Sequence, residues 1–224
     1  GLGDVYKRQQ IYLPFMALYL QERCNAETFS NEEILPSAQV LLLYFIYNGT
    51  VEITTSQVAK ELGLTPTSIS RASRQLEKLG LIQTMKTGKQ KIIHSDSSPK
   101  ELFERTQQKL LNPVKKTVYI PKTCVTSELL ESGYFALAHH TMLNVPQIKC
   151  FATDSISRWK DVMTNNLLDS ENQMAVEMWR YNPHLLSKED KVDELSLALS
   201  LRDDADERVE AAVDEMLEKL WGKI

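Results

Sequence analysis

Apolar residues along the chain fall into helical and strand spacings that mark out a series of short elements. "PSAQVLLLYFIYNGT" reads as a helix opened by Pro36, apolar nearly all round and therefore buried, and stopped at Asn48-Gly49. "VEITTSQVAKELGLTPTSISRASRQLEKLGLI" follows with a β-prone piece at 51–54 and a helix over 56–62 that carries Val58, Ala59 and Leu62 on one side. Gly63 supplies a tight turn, Thr65 caps a second helix, Pro66 takes its first position and Gly80 ends it after Leu79. In this second helix Ile69, Ala72, Leu76 and Leu79 form an inward stripe, while Thr67, Ser70, Arg71, Arg74, Gln75 and Lys78 line the opposite face. "LIQTMKTGKQKIIHSD" alternates Ile82 with Thr84 and Ile92 with His94 around Gly88, the pattern of two strands joined by a tight turn.

Beyond the hairpin, Ser98 as cap with Pro99 and Glu101 behind it predicts a helix that stops at Asn112-Pro113. "VKKTVYIPKTCV" is β-prone and basic and reads as a connector. "SELLESGYFALAHHTML" reads as an apolar helix broken at Gly133, and "QIKCFATD" and "QMAVEMWRY" read as buried strands. The last helix sets Val209, Ala212, Val213, Met216, Leu217, Leu220 and Trp221 on one stripe with acids outside. That stripe and "MWRY" read as core, the alternative being a docking surface for a second subunit or partner. The expected fold is α+β: a helix-turn-helix with a basic wing over 35–113, followed by a smaller α+β C-terminal domain over 114–224 with its own core.

The opening "GLGDVYKRQQ" has no apolar periodicity, no cap and no small-residue cleavage site, so it lacks the features of a signal peptide. "DVYKRQ", read back into codons, resembles the transposon-end adapter used to prepare sequencing libraries, and 1–9 is expected to be non-native. On that reading the native chain starts upstream. The stretch 10–34 begins abruptly with Ile11, Leu13, Phe15 and Leu18, as the end of a β element leading into a helix, and is expected to be a remnant of a missing N-terminal domain.

Composition is that of an ordinary globular chain, 42% hydrophobic and 25% charged over 224 residues. The longest apolar run, "VLLLYFIY", falls well short of the roughly 18 residues a membrane helix requires. Cys24, Cys124 and Cys150 are odd in number, widely spaced and without a CxxC pair, which argues against a disulfide framework or a zinc site and for reduced thiols in the cytoplasm. The net charge of −4 hides an asymmetry. Seven basic residues stand against two acids over 60–91, whereas six stand against twelve over 187–224. Such segregation suits a basic face for a polyanion and an acidic remainder that favours solubility.

The exposed face of the second helix has the chemistry a DNA major groove demands: Arg for guanine edges and phosphates, short hydroxyl residues for close approach, an amide for adenine. Lys86, Lys89 and Lys91 on the following hairpin supply phosphate or minor-groove contacts. The residues expected to meet DNA are Thr65, Thr67, Ser68, Ser70, Arg71, Arg74, Gln75, Lys78, Lys86, Lys89 and Lys91. "TTSQVAKELGLTPTSISRASRQLEKLGLI" followed by a Lys-rich hairpin resembles the winged helix of bacterial MarR-like transcriptional regulators, over about 36–96. The resemblance implies that Thr67, Ser68, Ser70, Arg71 and Arg74 face bases and phosphates, with Lys89 and Lys91 on the wing. Those regulators dimerise through helices flanking the winged helix, and here the flanks differ. A winged helix followed by "SGYFALAHHTML" and a strand is similar to the antitoxin regulators of type IV toxin-antitoxin, abortive-infection systems.

Catalytic chemistry finds no foothold. His139 and His140 are helix neighbours and do not converge on one metal, and His184 in "YNPHLL" reads as a loop residue. Asp203, Asp204, Asp206 and Glu207 suit a helix start. No phosphate-binding glycine loop, GxSxG or HExxH occurs. The expectation is therefore a cytoplasmic DNA-binding regulator, not an enzyme, with no cofactor, no metal and no membrane, acting on double-stranded DNA with a homodimer or a toxin as partner. The alternative is a protein–protein interaction module on a winged-helix scaffold.

Overall fold

A computed structural model describes residues 10–13, 18–21, 33–49, 52–88 and 90–224. They belong to two compact units, 1–31 and 32–224. In the first, strands β1 (Gln10–Leu13) and β2 (Leu18–Gln21) pair antiparallel with Gln10 opposite Gln21 and Leu13 opposite Leu18. The stretch is thus not a β element leading into a helix: residues 18–21 satisfy their backbone by pairing with 10–13. The adapter-like segment 1–9, Phe15, Cys24 and Lys89 lie outside the described residues.

The second unit is built around helix α1 (Pro36–Tyr47), which starts with Pro36 in its first turn and buries Ala38 through Leu43 together with Phe45 and Ile46. Its near-continuous apolar surface makes it the central helix, packed on α3 (Pro66–Lys78) and α4 (Pro99–Thr106). Between them come strand β3 (Ile53–Thr54) and helix α2 (Thr55–Glu61), and after α3 the hairpin β4 (Gln83–Thr87) and β5 (Gln90–His94). The three strands form an antiparallel sheet in the order β3-β5-β4.

Local rules set these boundaries. The Thr54 hydroxyl accepts from Gln57 N at 3.2 Å to start α2, and the Thr65 hydroxyl accepts from Ser68 N at 3.1 Å to start α3. Gly63 makes the turn between them at φ +59°, where a side chain would be strained. Helix α4 opens with the reciprocal Ser98/Glu101 capping box. It ends at Thr106, six residues before the expected stop. There the Thr106 hydroxyl donates to the carbonyls of Leu102 (2.7 Å) and Phe103 (3.2 Å), occupying acceptors at the helix end.

The C-terminal half contributes β6 (Val114–Pro121), β7 (Leu130–Glu131), α5 (Gly133–His140), β8 (Cys150–Thr153), β9 (Gln173–Trp179), α6 (Glu194–Leu201) and α7 (Glu207–Trp221). The sheet order is β6-β9-β8-β7, with β8 and β9 parallel and the other pairs antiparallel. Two expectations need correction. "VKKTVYIPKTCV" contains an edge strand, not merely a connector, because Val118 and Ile120 alternate inward opposite Val176 and Met174. Gly133 does not break a helix but begins one, at φ +55°, after the short strand β7.

One apolar cluster runs from Ile34 through α1, α3 and α4 to Leu195, Leu197 and Leu220, so the segments on either side of Pro113 share a core. A smaller cluster, centred on Val118, Ile120, Trp159, Met174 and Val176, covers the opposite side of the four-stranded sheet. The alternation along β9 makes this possible: Met174, Val176 and Met178 serve the small cluster, and Trp179 serves the large one.

Candidate nucleic-acid interface

Helix α3 buries Ile69, Ala72, Ser73 and Leu76, which fixes the direction of everything else on it. Thr67, Ser70, Arg71, Arg74 and Lys78 are exposed on the other side. Thr65 and Ser68 sit at the amino end, their hydroxyls 2.9 Å apart, with Ser68 half-buried. Their oxygens serve the cap.

Gln75 is placed differently. Its Nε2 donates to Glu33 O at 3.0 Å and its Oε1 accepts from Leu35 N at 2.9 Å, so the amide is engaged by the backbone entering α1. Lys86 on β4 is exposed and stands directly opposite Lys91 on β5. Lys91 is half-buried, and its Nζ donates to the Ser73 hydroxyl at 3.3 Å. Ser73, which the sequence pattern did not single out, in turn donates to Ser70 O at 3.2 Å. The one cue to it is its place at helical spacing between Ile69 and Leu76.

The carboxylates nearby are held by neutral donors. Glu61 accepts from Tyr44 and, at 2.8 Å, from Gln57 Nε2, and these bonds keep its carboxyl below the usual range. Burial and the Glu61 carboxylate push the Tyr44 phenol up to about 12. Glu77 accepts from Thr84 Oγ1 at 2.5 Å, and Asp96 from Gln83 Nε2 at 2.9 Å. Among the described residues Arg71, Arg74 and Lys86 make no ion pair. The Lys86–Lys91 juxtaposition sets like charges opposite each other, which is unfavourable by itself. The surface is thus a cationic, hydroxyl-bearing helix face beside a cationic hairpin.

The other residues weighed for chemistry lie apart. His139 Nε2 is 2.9 Å from Glu131 Oε2. Asp206 caps α7 by accepting from Arg208 N, and Asp204 accepts from the Tyr134 hydroxyl. His184 Nε2 lies 3.0 Å from Glu128 O. Among the described residues no group of three or more His, Cys, Asp or Glu is placed to hold a metal ion, and no helix is long and apolar enough to cross a membrane. No family model, curated protein or solved structure matches this chain.

Proposed function

We propose that residues 35–113 form a winged helix-turn-helix and that the protein is a transcriptional regulator binding duplex DNA, of the MarR-like, antitoxin type. On this reading α3 enters the major groove and the β4–β5 hairpin follows the backbone. The observation that carries it is the outward face of α3, where Thr67, Ser70, Arg71 and Arg74 are all exposed and both arginines make no ion pair among the described residues. An arginine without a carboxylate partner keeps its planar donor fork for a guanine edge or a phosphate. The protein acts in the cytoplasm, as a homodimer or with a toxin partner, and performs no catalysis of its own.

Selection from a random duplex pool, followed by affinity measurements over a range of salt, tests this. Enrichment of a sequence is expected, with a steep fall of log affinity against log salt. Arg71→Ala should cost about 1–3 kcal/mol on the selected site and relax preference at one position. Binding with no salt dependence, or none at all, overturns the reading in favour of a protein–protein module.

A further inference from the structure

The β4–β5 hairpin meets the apolar core at its base, where the fully buried Ile93 stands opposite both Ile53 and Thr84. Beyond that point β4 runs out through Met85, Lys86 and Thr87, all exposed. A two-stranded ribbon with so little apolar anchorage is marginal by itself, and its lean against α3 needs other contacts.

Two side chains of α3 supply them. Ser73 and Glu77 are four residues apart and so lie one above the other on the helix. Ser73 Oγ accepts from Lys91 Nζ of β5 at 3.3 Å, and Glu77 Oε1 accepts from Thr84 Oγ1 of β4 at 2.5 Å. One row of α3 therefore holds both strands of the hairpin. Ser73 is itself fixed, being fully buried and donating to Ser70 O at 3.2 Å.

The same contacts account for an oddity of charge. Glu77 and Glu61 are the two acids among the seven basic residues over 60–91, and Glu77 is exposed only three positions from Arg74. A carboxylate there repels a polyanion. What it contributes in return is the hold on Thr84.

We propose that Ser73 and Glu77 are positioning residues of the DNA-binding surface: they set the hairpin against α3, so that the cations of hairpin and helix meet one duplex together. The inference rests on the DNA reading above. The hairpin is then ordered before binding, and the duplex does not bear the entropy cost of ordering it. The sign of the Glu77 effect separates positioning from charge. A residue acting only as a negative charge tightens DNA binding when it is removed. A strut weakens it.

Fluorescence anisotropy of the full chain with a mixed-sequence duplex of about 30 base pairs, over a range of salt, tests this. Glu77→Ala and Ser73→Ala should each weaken binding about threefold or more. Glu77→Gln keeps an oxygen that accepts from Thr84 and loses the charge, so it should bind at least as tightly as the parent. In a background with Lys86, Lys89 and Lys91 all changed to Ala, the losses from Glu77→Ala and Ser73→Ala should disappear, because both residues act through the hairpin. Thermal melts establish which variants are folded at the assay temperature, and where one Ala variant is not, the other carries the test. A folded Ala variant that binds as tightly as the parent overturns the proposal, as does a loss that persists undiminished in the lysine-free background. Both of those outcomes leave the parent's steep salt dependence in place. A parent without salt-dependent binding fails on the DNA reading itself, and the proposal falls with it.

Discussion

Gln39 holds Leu111 by both of its backbone groups: Leu111 N donates to Gln39 Oε1 at 2.7 Å, and Gln39 Nε2 donates to Leu111 O at 3.0 Å. Gln39 is fully buried in an otherwise apolar stretch of α1, and its amide also lies 3.5 Å from the Tyr181 hydroxyl. One side chain therefore fastens the segment leaving α4 to the central helix, just before the chain enters β6. Gln39→Leu should destabilise by about 1–3 kcal/mol for each backbone group left without a partner. Urea unfolding checks this through a lower midpoint at unchanged slope. A change within about 0.5 kcal/mol would mean that Leu111 finds other partners.

Gln75 separates stability from affinity on α3. Because its amide is engaged by Glu33 O and Leu35 N, Gln75→Ala should lower the melting temperature while leaving DNA affinity at fixed salt nearly unchanged. Arg74→Ala should do the reverse, since Arg74 is exposed and carries no ion pair among the described residues. If Gln75→Ala weakens DNA binding as much as Arg74→Ala does, the amide leaves its backbone partners in the complex.

The two hairpin lysines should also behave differently. Lys86→Ala removes an exposed cation and should weaken binding to all sequences alike, lowering the salt slope by about one. Lys91→Ala additionally frees the Ser73 hydroxyl and exposes the packing under a half-buried stem, so it should lower stability as well. Equal effects on stability from both substitutions would show that the Lys91–Ser73 contact contributes nothing to the fold.

What was legible in the sequence was what local chemistry decides. Thr65-Pro66, Ser98 with Glu101 and the glycines at 63 and 80 announce helix ends through groups within three or four residues, and the structure places α3 and the start of α4 where they say. The exposed set on α3 follows from spacing alone. What escaped depends on partners far along the chain. β6 reads as a basic connector until β9 supplies Val176 and Met174 opposite it. Gln75 looks like a free amide because Glu33 and Leu35 lie some forty residues earlier. Tyr47 and Asp193, 146 positions apart, carry no sequence signal at all, since a phenol ending an apolar helix and an acid before a leucine-rich one are each ordinary. The apolar stripe of α7 was legible, but not that it completes the core of the first half.

Asp193 gives the sharpest pH dependence. Desolvation by burial pushes its carboxyl from the ordinary 3.8 up to about 6, against the opposing pull of the Ser196 and Tyr47 hydrogen bonds. Between those two values the folded protein holds a proton that the unfolded chain has already lost. Stability therefore falls as pH rises through that window, and the full penalty is present above about pH 6. A gap of that size corresponds to about 3 kcal/mol. In Asp193→Asn the side-chain oxygen still accepts from Ser196 N, so the cap is retained and only the titration disappears. His140, whose proton affinity is lowered by burial, is present in both proteins and drops out of their difference to first order. Urea unfolding of parent and variant from about pH 4 to about pH 7 should show the variant gaining about 2–3 kcal/mol relative to the parent. A stability difference that stays flat across this range would show that Asp193 ionises at its ordinary pH in the folded protein.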